Sequence, residues 1–135
     1  MIQEFSVRNF RSFKDEATLS FEATKDTTFE DTQVVTVAPQ VRLLRFAYGQ
    51  PDIYNTLLPT LPIAGIDGTL RKRMRGTPAQ GNVHAKTGTV FGVSSLAGYL
   101  TASNGHRLCF SIIVNGGMRQ GPMRNLQNKV CVALS

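Results

Sequence analysis

Hydrophobic and polar residues alternate most regularly near the N-terminus of this 135-residue chain, and this pattern predicts several strands. Apolar residues occupy every second position over residues 16–23, which is typical of a half-buried strand. The mixed run 2–10 predicts a strand before it. Residues 33–38 and 41–48, which are rich in β-branched and large apolar side chains, predict two more, with Pro39 ending the first of these.

The last third of the chain predicts a set of antiparallel strands followed by a helix. Strands are expected over residues 83–90, 94–102 and 106–115, and Asn104-Gly105 favours a tight turn between the last two because Asn-Gly tolerates positive φ. Apolar residues on both faces of 106–115 place that strand at the centre of a sheet. The pattern at 125–134 predicts an amphipathic helix. Its expected apolar stripe comprises Leu126, Val130, Ala133 and Leu134.

Three prolines interrupt the pattern between the two halves. Residues 51–62 are therefore expected to form a linker with one short helical turn at 52–57. Asp67 is a candidate N-cap for a short basic helix over 69–74. The basic side chains that follow Asp67 are expected to form a solvated face: Arg71, Lys72, Arg73 and Arg75. No aromatic residues interleave them, so no nucleic-acid partner is expected.

Composition indicates one small globular domain, with 41% hydrophobic and 18% charged residues. The predicted elements make it α+β, mostly antiparallel sheet with a C-terminal helix. The apolar stretches are much shorter than the roughly 20 residues of a membrane span, so no membrane contact is expected. Charged residues within the first twenty positions leave no apolar signal-peptide core, so the chain is expected to be cytoplasmic.

The net charge of +6 is unevenly distributed. Residues 1–49 carry six Lys/Arg and seven Asp/Glu, whereas residues 50–135 carry nine Lys/Arg and only Asp52 and Asp67. Glycine is equally uneven, since eleven of the twelve follow Gly49. The shift predicts two segments of different origin, 1–49 and 50–135, that join near this glycine.

The cysteines and histidines do not have the spacing of a metal site. Cys109 and Cys131 are expected to be buried thiols, with a disulfide as the alternative. His106 precedes Cys109 by three residues, but no second pair completes a zinc site. His84 and His106 are expected at the surface. No metal or cofactor is predicted.

Lys86-Thr87-Gly88, within the predicted strand 83–90, is one of three signatures of penicillin-binding proteins and serine β-lactamases. From about Ile53 to the C-terminus the chain closely resembles the D-alanyl-D-alanine carboxypeptidase/endopeptidase family, the class C penicillin-binding proteins. In the family's order, the resemblance is carried by LPIAGIDGTL (61–70), RKR (71–73), GTPA (76–79), AKTGT (85–89) and GVSSLAGY (92–99).

This resemblance implies a partial penicillin-binding/β-lactamase-like domain and acyl transfer through a serine. Lys86 would supply a point charge beside the nucleophile and the substrate carboxylate, and Thr87 a hydroxyl to that carboxylate. Gly88 would leave room for the ligand backbone, which pairs with the strand edge beyond it. The N–H of Thr89 would be one oxyanion-hole donor. The implied partners are D-Ala-D-Ala peptides and β-lactams.

The two other signatures of these enzymes, Ser-x-x-Lys and Ser-x-Asn, are absent. No serine of the chain is followed by Lys three residues later or by Asn two residues later. The chain therefore offers no catalytic nucleophile, so it is predicted to be inactive alone and to bind its partners weakly at best. A weak peptide- or anion-binding module and a fusion remnant without a ligand remain as alternatives.

The first 49 residues resemble the start of an AAA/ABC-type ATPase, in which a short β-meander leads to the phosphate-binding loop. The resemblance is carried by MIQEFSVRNFRSFKDE (1–16) and LSF (19–21). Residues 41–49 stand where the next strand and the first loop glycine belong. The chain contains no Gly-Lys dipeptide, so the loop itself is missing and nucleotide binding is not expected.

Overall fold

The computed structural model describes residues 2–9, 17–20, 37–115 and 119–135. Within these ranges it has an α+β fold, as predicted. The strands are β1 (Ile2–Asn9), β2 (Ala17–Ser20), β3 (His84–Val90), β4 (Val93–Thr101) and β5 (Arg107–Asn115). The helices are α1 (Val37–Tyr48), α2 (Pro51–Leu57) and α3 (Gln120–Leu134).

The strands form one antiparallel sheet in the order β2-β1-β5-β4-β3. Ile112 of β5 stands opposite Phe5 of β1 on one side and opposite Leu96 of β4 on the other. β5 is therefore central, as predicted from its two apolar faces. The first strand of the chain and the C-terminal strands belong to the same sheet, and β3 lies at one of its edges.

The strands predicted at 33–38 and 41–48 are wrong wherever the structure describes these residues, because Val37–Tyr48 is the helix α1. Val37 and Val41 are almost fully buried, one helical turn apart, and they show the helical period that the β-branched composition obscured. Pro39 lies in the first turn of this helix, where its missing N–H costs nothing. Leu43 and Phe46 lie on the exposed side.

The connection between α1 and β3 is compact. The short helical turn predicted at 52–57 is confirmed as α2, and two 3₁₀ turns follow at Leu58–Thr60 and Gly68–Leu70. The second replaces the helix predicted over 69–74, which does not form. Met74 has a φ of 58°, a left-handed conformation that no regular helix continues through.

Helix α3 begins at Gln120, earlier than the predicted start at residue 125. Its buried residues are Met123, Gln127 and Cys131, spaced four apart along one face. The predicted stripe therefore marks only the flank of the buried face, since Leu126, Val130 and Leu134 are partly buried against the core, and its fourth member, Ala133, is exposed. The error arose because a buried glutamine interrupts the apolar pattern.

Both faces of the sheet are covered. One face packs against α3 and the 64–83 segment through Leu96, Leu100, Phe110 and Ile112. The other packs against α1 and α2 through Tyr99, Cys109 and Ile113. The Tyr99 hydroxyl donates a 2.7 Å hydrogen bond to the carbonyl of Leu44, which anchors α1 to the sheet.

Both cysteines are buried thiols that are not joined in a disulfide, as predicted. Cys109 lies on the α1 side of the sheet, and Cys131 lies on α3 on the opposite side. Burial raises the pKa of the Cys131 thiol to about 12, although the positive charge of Arg73 opposes this increase. Cys131 is therefore in its neutral thiol form at physiological pH.

The first predicted strands are confirmed only in their described parts, as β1 and β2. Residues 33–36 of the predicted strand 33–38, and residues 116–118, lie outside the described residues. No described helix is long and apolar enough to cross a membrane.

Candidate functional site

The Lys86-Thr87-Gly88 motif lies on β3, the edge strand, as the sequence predicted. One side of β3 pairs with β4 along its whole length. At the start of the other side, the Ala85 N–H donates to the Pro62 carbonyl at 3.0 Å, and the Val83 carbonyl accepts from the Ala64 N–H at 2.9 Å. The motif thus begins where this short backbone pairing ends.

The alternation of an antiparallel strand then fixes the direction of the following backbone groups. Successive residues point their N–H and C=O to opposite sides, so Thr87 and Thr89 share the outward side with Ala85. Within the described residues, neither Thr87 nor Thr89 has a backbone partner on that side. The edge of β3 therefore presents their backbone N–H groups outward.

Lys86 is exposed and is held by its own neighbour. Its Nζ donates a 2.8 Å hydrogen bond to the Thr87 carbonyl, so this outward carbonyl already has a donor. The side chain of Lys86 starts from the opposite face of the strand to that of Thr87. The ammonium nevertheless reaches the edge where the Thr87 and Thr89 N–H groups emerge.

Thr87 lies beside the 3₁₀ turn at Gly68–Leu70. Its hydroxyl donates a 3.1 Å hydrogen bond to the hydroxyl of Thr69 in that turn. Asp67 precedes the turn, but its side chain makes no capping hydrogen bond, so the predicted N-cap role is wrong. Its Oδ1 instead accepts a 2.6 Å hydrogen bond from the N–H of Ile63 and closes the loop before the turn.

Gly88 stands opposite Ser95 of β4. A Cβ at Gly88 would collide with the Ser95 hydroxyl. The neighbouring strand therefore constrains this position, in addition to the ligand clearance predicted from the sequence. That clearance remains a prediction.

An open depression of about 500 Å³ adjoins the outward edge of β3. Its hydroxyl-bearing lining residues are Thr69, Thr87, Thr89 and Ser94. Its basic lining residues are Arg71, Lys72, Arg73 and Arg124. We call this feature the basic depression. It contains two residues of the predicted site, Thr87 and Thr89, whereas Lys86 and Gly88 do not line it.

Arg73 does not belong to a solvated face, in contrast to the prediction for the 71–75 cluster. Its Nε donates to Asn128 Oδ1 at 2.8 Å, and its Nη2 donates to Gln127 Oε1 at 3.0 Å. Burial lowers the pKa of Arg73, and the charge of Arg124 lowers it further, whereas Cys131 raises it. Arg73 thus fixes helix α3 against the basic depression.

Gln127 continues this network into the core. It is fully buried, and its Nε2 donates a 3.2 Å hydrogen bond to the hydroxyl of Ser94, which stands opposite Thr89. Sequence reasoning missed Thr69, Ser94, Arg124 and Gln127. One signal for the network was present in the sequence: Gln127 lies midway between Met123 and Cys131, at i, i+4 spacing on one helical face. A glutamine buried on such a face needs hydrogen-bond partners for its amide.

Both histidines are half-buried, whereas the sequence predicted them at the surface. His84 is half-buried, and its Nδ1 is enclosed with no hydrogen-bond partner among the described residues. Burial lowers the pKa of His84, and the charge of Arg107 lowers it further. A hydrogen bond with the Leu58 backbone and the charge of Asp67 raise this pKa and so oppose part of the decrease.

Metal-ligating side chains do not cluster in the part of the chain that the structure describes. Among those residues, no three His, Cys, Asp or Glu side chains are close enough to share an ion. The hydroxyls, backbone N–H groups and basic side chains at the basic depression are groups that can bind an anion.

Comparison with known proteins gives this geometry a context. The model of the D-Ala-D-Ala carboxypeptidase 3 (S13) family matches residues 31–135. A D-alanyl-D-alanine carboxypeptidase of an Actinomadura species is 42% identical over 107 residues, which cover 76% of this chain and 19% of that protein. The carboxypeptidase DacB of Haemophilus influenzae is 44% identical over 83 residues, which cover 59% of this chain and 17% of that protein.

A solved structure agrees in fold. Penicillin binding protein 4 of Haemophilus influenzae superposes with a TM-score of 0.62 and 32% identity, covering 72% of this chain and 24% of that one. The chain thus spans about a fifth of the length of the curated relatives it matches. Since the family match covers most of the sequence and includes β3, β4, β5 and α3, the chain belongs to the D-Ala-D-Ala carboxypeptidase 3 (S13) family.

Proposed function

We propose that the chain provides the substrate-binding strand of a D-Ala-D-Ala carboxypeptidase and binds the C-terminal carboxylate of a D-Ala-D-Ala peptide. The observation that carries this proposal is the outward edge of β3. There the N–H groups of Thr87 and Thr89 emerge beside the linked hydroxyls of Thr87 and Thr69, next to four basic side chains.

Each motif residue then has a role that matches its position. The Thr87 hydroxyl donates to the peptide carboxylate once it exchanges its present acceptor, Thr69, for the ligand. Lys86 lies at the same edge and adds a positive charge. The outward Thr89 N–H donates to a peptide carbonyl, as an oxyanion-hole donor does. Gly88 keeps the strand close to Ser95 and free of a side chain.

The chain binds this peptide without hydrolysing it. Acyl transfer requires a nucleophile next to a group that accepts its proton, and no Ser-x-x-Lys occurs in the 135 residues. Ser94 is the serine that lines the basic depression, but its hydroxyl is buried and its partner is the amide of Gln127. An amide does not act as a general base at neutral pH, so Ser94 is not activated.

The test is a titration of the ¹⁵N-labelled chain with N-acyl-D-Ala-D-Ala, followed by amide chemical shifts. We expect saturable shifts at Thr87 and Thr89, at millimolar affinity, that weaken in Thr87→Val and in Lys86→Ala. N-acyl-L-Ala-L-Ala is the stereochemical control, and Lys129→Ala, an exposed site on α3 outside the depression, is the matched control variant. Equal shifts with both peptides, or none with either, would contradict the proposal.

A β-lactam provides a second measurement on the same chain. We expect intact-protein mass spectrometry to show no covalent adduct after incubation with benzylpenicillin, because no activated serine is present. An adduct of one penicillin per chain would contradict the proposed inactivity and would identify a nucleophile by peptide mapping.

Two other hypotheses about the function of the chain predict different results in these experiments. A fusion remnant without a ligand predicts a poorly dispersed amide spectrum or no peptide-induced shifts. The ATPase-like start of residues 1–49 stays a prediction, and a thermal shift with Mg-ATP would support it. Because the phosphate-binding loop is missing from the sequence, we expect no such shift.

A further inference from the structure

Positive charge in the basic depression is not balanced by acidic side chains within residues 37–115 and 119–135. Arg71, Lys72 and Arg124 are exposed at its margin. Residues 37–135 contain only two carboxylate side chains, Asp52 and Asp67, and neither lines the depression. Of the described residues, none forms an ion pair with these three basic side chains.

The basic side chains also act on one another. Arg73 is fixed by Asn128 and Gln127, and its Nη2 lies 3.4 Å from the Arg124 carbonyl. Burial lowers the pKa of Arg73, and the charge of the neighbouring Arg124 lowers it further because the two positive charges repel. An anion bound between them would relieve this repulsion, because it interacts favourably with both.

One carboxylate would satisfy only part of this site. The terminal carboxylate of a D-Ala-D-Ala peptide brings a single negative charge, and Thr87 with the edge of β3 provides its donors. Arg71, Lys72 and Arg124 add three further charged donor groups. Guanidinium groups form paired hydrogen bonds with the oxygens of carboxylate and phosphate groups.

We propose that the basic depression binds an oxyanionic ligand that carries at least two negative charges, with Arg71, Lys72 and Arg124 as its charged donors. The ligand is either a phosphate compound or a peptide with a second carboxylate, and both share this chemistry. The inference goes beyond the proposed peptide site, since it concerns the charges that a single terminal carboxylate leaves unpaired. It holds whether or not D-Ala-D-Ala binds.

The test compares three probes at constant ionic strength by isothermal titration calorimetry and amide shifts. They are inorganic pyrophosphate, N-acetyl-Glu-D-Ala-D-Ala with two carboxylates, and N-acetyl-D-Ala-D-Ala with one. We expect at least one of the first two to bind more tightly than the third. Saturable pyrophosphate binding without D-Ala-D-Ala binding would support this inference and contradict the proposed peptide site. If only the Glu peptide bound more tightly than N-acetyl-D-Ala-D-Ala, the ligand would be a peptide with a second carboxylate and not a phosphate compound.

Variants assign the effect to the depression. Arg124→Gln and Lys72→Gln each remove one exposed positive charge and should raise the dissociation constant of the preferred probe about fivefold or more. Lys129→Gln removes one positive charge from the same helix as Arg124 but outside the depression. Its dissociation constant should remain close to that of the unmodified chain.

Three outcomes would overturn the inference. The first is that neither pyrophosphate nor the Glu peptide binds saturably to the folded chain. The second is that neither binds more tightly than N-acetyl-D-Ala-D-Ala. The third is that Lys129→Gln and Arg124→Gln raise the dissociation constant equally. The last would indicate attraction by overall charge. Circular dichroism of each variant verifies that it is folded, as expected for substitutions at exposed positions.

Discussion

The side-chain amide of Gln127 donates a 3.2 Å hydrogen bond to the hydroxyl of Ser94, and thereby joins the last helix to the strand that borders the basic depression. The other end of the same amide accepts from Arg73 Nη2 at 3.0 Å. Gln127 and Ser94 are buried, so water does not replace either partner. The geometry of the depression thus depends on a polar link inside the core.

Replacing Gln127 with Ala should destabilise the fold strongly. The change leaves the buried Ser94 hydroxyl without its partner and removes one acceptor of Arg73, which keeps Asn128. A buried polar group left unpaired costs about 1–3 kcal/mol. We therefore expect urea unfolding to show a loss of about 2 kcal/mol or more. Asn125→Ala, an exposed change on the same helix, should lower the free energy of unfolding by less than about 0.5 kcal/mol. Equal effects of the two variants would mean that the link does not contribute.

Gly98 controls the distance between β3 and β4. A Cβ at this position would collide with the His84 carbonyl and lie 2.6 Å from Ala85 Cα, so the backbone of β3 would have to move. Gly98→Ala should cost about 1–3 kcal/mol, which is the usual range for overpacking, and should weaken ligand binding at the β3 edge.

Gly121→Ala is the matched control for this substitution. It lies in α3, and a Cβ there meets nothing within 4 Å. We expect its chemical-denaturation midpoint to equal or exceed that of the unmodified chain, because Ala favours helix more than Gly does. If Gly98→Ala were as stable as Gly121→Ala, the close approach of β3 and β4 would be relieved without cost.

The lowered pKa of His84 predicts a loss of stability in mild acid. Burial and Arg107 favour the neutral imidazole in the folded state, whereas the unfolded chain takes up the proton near the ordinary pKa of 6.5. Stability is therefore complete above that value and decreases as pH falls through it toward the folded pKa. Thermal melts between pH 8 and 5 should show this decrease, and His84→Gln should reduce it.

His106→Gln tests whether the effect belongs to His84. This substitution removes the other histidine of the chain, so its melts should retain the decrease below pH 6.5. If His106→Gln rather than His84→Gln flattened the profile, the buried Nδ1 of His84 would not be the source.

The two thiols should be unreactive until the chain unfolds. Cys109 and Cys131 are both completely buried, and the pKa of Cys131, at about 12, leaves almost no thiolate at pH 8. Ellman's reagent should therefore modify neither cysteine rapidly in buffer, and both rapidly in urea. Fast modification of one cysteine in buffer would show that its side of the sheet opens locally.

The strands and turn of the C-terminal sheet could be predicted from the sequence because their signals are local. Alternation of apolar residues located β4 and β5, and the motif Lys86-Thr87-Gly88 occurs on β3 as expected. Gly105, with a φ of 82°, forms the turn between β4 and β5 that Asn104-Gly105 predicted. Family membership also followed from short motifs whose order is visible in the chain.

Helix α1 could not be predicted by the same reasoning. Val37 and Val41 favour strands by composition, and burial against the sheet outweighs that preference. The hydrogen bond from Tyr99 to Leu44 crosses a long separation in the chain, so no local pattern contains it.

The motifs alone therefore determined which family this chain belongs to and which strand carries Lys86-Thr87-Gly88. The tertiary structure decided the composition of the depression beside that strand. Thr69, Ser94 and Arg124 come from a turn, a strand and a helix that are distant in sequence, and they meet only because the sheet and α3 pack together. Charge and hydrogen bonding act over a few ångströms in space, whatever the separation along the chain.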